Sequence, residues 1–160
     1  MKIFVGSDHR GFQLKKKVDD ALKGLGHEVV DMGTDTDSVA SDYPEIAYRV
    51  AVEVVRNPGS RGILLCMSGL GQSIAANKVP GVYAALVYNT EAALLSRRHN
   101  DSNVLVMGSK FVDESKMLEI IKIWLSTAFQ GGRHLRRKEQ IQKIEKAASL
   151  MNQGKFPKKL

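Results

Sequence analysis

The chain has 160 residues, enough for one domain with a sizeable core, and its 43% hydrophobic and 26% charged residues are those of an ordinary globular protein. Its single cysteine excludes an internal disulfide framework and any cysteine-rich zinc site. The formal charge of +7 is concentrated late: residues 136–160 hold eight Lys/Arg against two Glu, so the body is close to neutral and the basic end reads as a solvated tail. The aromatic residues do not interleave with basic ones as a base-stacking surface requires. No apolar run approaches the roughly 20 residues of a membrane span, and MKIFVGSD is interrupted too soon for a signal peptide. The expectation is a cytoplasmic protein with a reduced thiol and neither nucleic acid nor membrane as partner.

Two hydrophobic periods alternate along the chain. Residues 2–7 make a short apolar strand. Phe12, Val18, Leu22 and Leu25 recur at helical spacing over 12–25, and Gly24 and Gly26 close that helix. A strand follows at 28–32. Residues 43–56 read as a helix with Asp42 as N-cap and Pro44 in the first turn, ended by NPGS. A strand at 62–66 precedes a short helix at 70–78. Strand 82–88 leads to a helix capped by Asn89 or Thr90 and running to about residue 98. Strand 103–107 precedes an amphipathic helix over 114–128 carrying Met117, Ile120, Ile121 and Leu125. After FQGG, a basic helix over 133–150 has Ile141, Ile144 and Leu150 as a thin apolar stripe.

Strictly alternating β and α units predict a parallel sheet of five strands with right-handed crossovers and helices on both faces, a three-layer α/β/α arrangement. Ligands of such sheets bind beyond the carboxyl ends of the strands. Strand one ends in Ser7-Asp8-His9, and strand three in Cys66 followed by Met67-Ser68-Gly69-Leu70-Gly71-Gln72-Ser73. Two further clusters are Arg97-Arg98-His99-Asn100-Asp101 and Gly131-Gly132-Arg133-His134, with Arg136 and Arg137 just beyond. All four are expected at one edge of the sheet. Each has a plainer reading. Asp8-His9 makes a turn and a cap, His99 suits a helix C-terminus, Arg133 and Arg137 suit a solvated face, and a lone cysteine is commonly a small buried hydrophobe. His27 reads as a turn residue. A thiol before a helix N-terminus is expected to have its pKa lowered.

Several motifs are missing. GLG lacks the third glycine of a dinucleotide fingerprint, and there is no P-loop, no HExxH pair and no GxSxG elbow. Free N–H groups after strand three still suit a phosphate or an oxyanion.

At these residues the sequence resembles the type B ribose-5-phosphate isomerases, a family that includes the subunits of galactose-6-phosphate isomerase. The matching segments are GSDHRGF (6–12), VVDMGT (29–34), SDYPEIA (41–47), GILLCMSGLGQSIAANK (62–78), SRRHNDSNVLVMGS (96–109) and GGRHLRR (131–137). The match covers about residues 1–146 as the isomerase domain and leaves 147–160 as a basic tail. The resemblance implies a Rossmann-like subunit whose C-terminal helix packs on a partner, in a homodimer or a tetramer, with active sites at the interface. It implies aldose–ketose isomerisation of a phosphorylated sugar, ribose 5-phosphate to ribulose 5-phosphate in the pentose phosphate pathway, with no metal or nucleotide cofactor.

By the same resemblance Cys66 is the base, Asp8 and His99 open the furanose ring, and Ser68 bonds the sugar. The N–H groups of Gly69 to Ser73, among them Gly71 and Gln72, stabilise the enediolate. His9, Arg133 and Arg137 hold the phosphate, and Asn100 orients hydroxyls. His99 and Asn100 are expected from the partner. Met67 and Ser68 stand where the family usually has Gly and Thr, and Lys110 where many members have arginine, which keeps the charge but loses the planar fork. Rival readings are an isomerase of galactose 6-phosphate or allose 6-phosphate, and a non-catalytic sugar-phosphate-binding protein.

Overall fold

A computed structural model describes residues 1–151. It contains five strands: β1 (Lys2–Ser7), β2 (Glu28–Asp31), β3 (Arg61–Cys66), β4 (Ala84–Leu86) and β5 (Val104–Gly108). Six helices accompany them: α1 (Phe12–Gly24), α2 (Tyr43–Arg56), α3 (Leu70–Ala76), α4 (Thr90–Asn100), α5 (Glu114–Ser126) and α6 (Arg133–Met151). All strand pairs are parallel, in the order β2-β1-β3-β5-β4. The α/β/α expectation therefore holds.

Alternation along the strands feeds two cores. Ile3, Val5, Ile63, Leu65, Leu105 and Met107 face α1, α4 and α5, where Val18, Leu22, Ile120 and Trp124 meet them. Phe4, Leu64, Val104 and Val106 face α2 and α3, against Ala47, Val50, Val54 and Ala76. The strand order reverses direction between β1 and β3. That crevice is the switch point where open sheets bind ligands.

Two local expectations change, and one plainer reading holds. Residues 82–88 give only the three-residue β4; just before it, Tyr83 N–H is taken by Asn103 Oδ1 rather than by a ladder partner. Asp42 occupies the N-cap position of α2, but its side chain makes no bond to the helix. A 3-10 turn, His9–Gly11, stands between β1 and α1, capped by Asp8. Asn89 caps α4 as expected, accepting from Ala92 N–H at 2.7 Å. Among the described residues, no helix is long and apolar enough to cross a membrane. From residue 152 on, the basic tail lies outside the described residues.

Candidate active site

Register brings Asp8 and Cys66 together. Ser7 pairs with Leu65 across β1 and β3, so the next residue of each strand, Asp8 and Cys66, emerges side by side at the switch point. Asp8 Oδ1 accepts the N–H groups of Arg10 and Gly11 at 3.0 and 3.1 Å. That turn can approach β3 only because position 11 is glycine: a Cβ there would lie 2.5 Å from the Leu65 carbonyl oxygen. Asp8 is thus both a cap and a buried carboxylate beside the thiol.

Cys66 is the last residue of β3 and is buried. The chain turns back over it through Gly69, whose φ of +81° is a left-handed conformation suited to glycine. Gly69 N–H then donates to Cys66 Sγ at 2.9 Å. The return path needs Gly108 as well, since a Cβ there would lie 2.5 Å from the Ser68 carbonyl.

The thiol titrates above its ordinary range, not below it as expected. Burial is the main cause and the negative charge of Asp8 adds to it, while the N–H groups of Gly69 and Ser68 oppose both. The lowering expected for a helix N-terminus is present but is the smaller effect.

The other N–H groups of this loop divide their work. Leu70 N–H donates to Ser68 Oγ at 3.4 Å, and Ser73 N–H to the Gly69 carbonyl at 3.0 Å. Among the described residues this leaves Gly71 and Gln72 as the loop's available donors. The Gln72 side chain is fully buried and neither of its amide atoms has a partner among the described residues. The Tyr43 ring lies over Gly71, where any Cβ would collide with it. Lys110 is exposed at the same edge, with its backbone N–H on the Met67 carbonyl at 2.9 Å. Met67 extends across the mouth, its Sδ accepting from Arg10 Nη1 at 3.6 Å.

The remaining predicted residues lie elsewhere. His99 and Asn100 end α4, and the chain next enters β5 at its amino end. Asp101 and Arg97 act electrostatically on Arg61, the first residue of β3. The second cluster therefore sits at the opposite edge of the sheet from Cys66, the last residue of β3. Six strand residues separate the edges, roughly 20 Å. The expectation of a single edge is overturned. Strand ends and helix ends emerge at opposite ends of a parallel sheet; His99 ends α4, and Arg133 follows α5.

This second edge is a cationic cradle. His99, Asn100, His134, Arg137, Lys138 and Ile141 line a cavity of about 240 Å³. The rings of His99 and His134 stack with centroids 4.1 Å apart and planes 5° apart. Arg133 Nε lies 3.5 Å from His134 Nε2. Burial holds His134 below its ordinary range, and the charges of His99, Arg133, Arg137 and Arg98 add to the effect. Asp101, held at φ +50°, receives Arg97 at 2.8 Å and also pairs with Lys138. Burial would raise its carboxyl, but those two cations outweigh it and hold it low.

The sequence reading missed Ser41, whose hydroxyl and N–H both engage His9. It sits in the loop after β2, so the strand-end rule would have led to it. The reading placed His134 in its cluster without giving it a role; its stacking on His99 shows only in the tertiary structure.

The ribose/galactose isomerase family matches residues 3–141. Ribose-5-phosphate isomerase B of Escherichia coli is 44% identical over 144 residues, covering 90% of this chain and 96% of the relative. The solved structure of ribose-5-phosphate isomerase B from Clostridium thermocellum is 47% identical and superposes with a TM-score of 0.88, covering 91% of this chain and 98% of that one. The Mycoplasma genitalium ribose-5-phosphate isomerase B, solved with bound ribulose-5-phosphate, is 43% identical with a TM-score of 0.87, covering 91% and 96%.

Proposed function

The chain belongs to the ribose/galactose isomerase family, and we propose that it interconverts ribose 5-phosphate and ribulose 5-phosphate as an aldose–ketose isomerase. One observation carries this reading most directly: a neighbour sharing 43% of its sequence and superposing at a TM-score of 0.87 holds ribulose-5-phosphate. The chemistry of the β1/β3 crevice agrees with it.

In the ring-opened aldose, the Cys66 thiolate takes the proton from carbon 2. The electron pair moves onto the carbonyl oxygen at carbon 1, giving an enediolate. The hydroxyl proton on carbon 2 passes to the oxygen on carbon 1, the proton held by Cys66 returns to carbon 1, and carbon 2 becomes the ketone, so nothing enters or leaves overall. Gly71 and Gln72 N–H groups stabilise the oxyanion, with the Ser68 hydroxyl beside it. Asp8 of the same chain, together with His99 of the partner subunit, moves the protons that open the furanose ring. His9, with Arg133 and Arg137 of the partner subunit, holds the phosphate, and Lys110 adds positive charge at the same mouth. Asn100 of the partner subunit orients hydroxyls.

The partner is a second copy of this chain. A thiol at one edge and a cationic cradle roughly 20 Å away at the other cannot act on one small sugar within a single subunit. A two-fold pair that sets each cradle against the other's crevice completes two sites at once. α6 suits such packing: Leu135, Ile141, Ile144 and Leu150 are exposed along it. Burial keeps the thiol protonated in a lone chain, and the cations of the second copy favour the thiolate. In this reading residues 1–146 form the isomerase domain, 147–160 are an extension, and the protein works in the cytoplasm.

The test is a coupled assay of purified protein on ribose 5-phosphate, with galactose 6-phosphate and allose 6-phosphate in parallel. Preference for the pentose is expected; a clear preference for either hexose would reject the assignment.

A further inference from the structure

His9 and Ser41 are 32 positions apart in sequence and bonded twice. His9 backbone N–H donates to Ser41 Oγ at 3.0 Å, and Ser41 backbone N–H donates to His9 Nδ1 at 3.2 Å. The second bond has a chemical consequence. A backbone N–H can only donate, so Nδ1 must present its lone pair, and the ring proton of neutral imidazole must sit on Nε2. Among the described residues Nε2 has no partner, so it remains available as a donor.

The loop that delivers Ser41 is braced along its length. Lys15, almost fully buried, donates to both oxygens of Asp31 and to the Thr34 carbonyl at 2.6 to 2.7 Å. Thr34 N–H reaches the Ser7 carbonyl at 3.0 Å, and Gln13 holds Asp37 at 2.7 Å. Beyond Ser41, α2 begins with Tyr43, whose ring covers Gly71. Ser41 therefore stands on a fixed support between the β1 turn and the Cys66 loop.

We propose that Ser41 is a positioning residue that sets His9 as the Nε2–H tautomer, so that the imidazole meets the substrate phosphate as a donor. The opposite tautomer would turn a lone pair toward an oxyanion and repel it. The link to the phosphate rests on the isomerase reading; the tautomer itself does not. The side-chain half of the pair is the part that mutation can remove. Without Oγ, the part-buried His9 N–H loses its acceptor, the two segments separate and the ring is free to turn over.

The experiment combines two readouts. Protein carrying 15N-histidine gives a long-range 1H–15N spectrum at about pH 8, where an ordinary histidine is neutral; the His9 signals are assigned by their loss in His9→Gln. Wild-type His9 is expected with Nε2 protonated and Nδ1 bare. Ser41→Ala is expected to mix the tautomers and to raise KM for ribose 5-phosphate about fivefold to tenfold, the loss of roughly one hydrogen bond, with kcat within about twofold. Ser41→Thr, which keeps the hydroxyl, should restore both. A wild-type spectrum showing Nδ1–H overturns the proposal, even if Ser41→Ala fails to fold. An unchanged spectrum in Ser41→Ala, or a tautomer change without a change in KM, also overturns it. If the protein does not turn over ribose 5-phosphate, the isomerase reading fails separately, and the spectra with an inorganic phosphate titration still decide the role of Ser41.

Discussion

The two edges of the sheet are built on different principles. The Cys66 edge is built largely from backbone: glycines at 11, 69 and 108 let three segments close around a thiol, and N–H donors and the Asp8 carboxylate surround it, with Ser68, His9 and Lys110 at the mouth. The His99 edge is nearly all side chain, with stacked imidazoles and arginines around an open cavity. The first edge can hold and reprotonate a carbon acid but lacks the arginine pair, Arg133 and Arg137, that the second offers a phosphate. The second can bind an anion but holds no base beside a carbon. Each edge lacks what the other supplies, which is the ground for proposing a site shared between two copies.

The comparison can be broken most severely at the thiol. Cys66→Ala should lower kcat/KM by about 10³-fold or more, within the range of a lost general base, while circular dichroism stays native. Wild-type turnover in that variant would remove Cys66 from the mechanism. The next test joins the edges. Cys66→Ala and Arg137→Ala, each inactive or weak alone, should recover up to about one quarter of wild-type activity when unfolded and refolded together, because half of the random pairs carry one intact shared site of two. No recovery would place both residues in the same subunit's site. Arg137→Ala by itself should raise KM roughly 10- to 100-fold, the loss of a charged hydrogen bond, with a smaller change in kcat.

The smallest effects concern stability, and they have opposite signs at two carboxylates. Asp19 on α1 is buried next to Asp31, and burial is the larger cause pushing it up to about 6 from 3.8. The folded state then holds its proton more tightly than the unfolded chain does. Stability from this group is full below about pH 4 and is lost as pH rises through about 6. Asp19→Asn should therefore stabilise the protein by about 1–3 kcal/mol at pH 8 and by little at pH 4, as read by urea denaturation. Asp101, held low by Lys138 and Arg97, does the reverse: its contribution is present above the ordinary carboxylate range and is lost as pH falls. Asp101→Asn should destabilise at pH 7 and matter less under acid.

Much of the fold is legible in the sequence because period and punctuation agree. The run ILLC ends where glycines begin, and that marks both the end of β3 and the loop over Cys66. The placement of His99 and Arg133 was misread although the signal is in the sequence: His99 ends a helix and Arg133 follows one, and helix ends in a parallel sheet point away from strand ends. The thiol's direction of shift was not legible, because a helix start is visible in sequence but the burial that outweighs it is not. Asp42 shows the same limit at small scale: the residue type suits a cap, yet its side chain makes no bond to α2. Ser41 and His9 meet only once β2 and β1 are in register.

The separation of the two edges also has a kinetic meaning. An enzyme whose site is divided between two copies is a reversible complex before it is a catalyst, and its specific activity obeys mass action in its own concentration. If the proposed shared site holds, serial dilution should reveal a threshold below which activity per milligram falls, and a sugar phosphate that bridges both copies should shift that threshold lower. Abundance in the cell would then set not only how many catalysts there are but what fraction of the chains are catalysts at all.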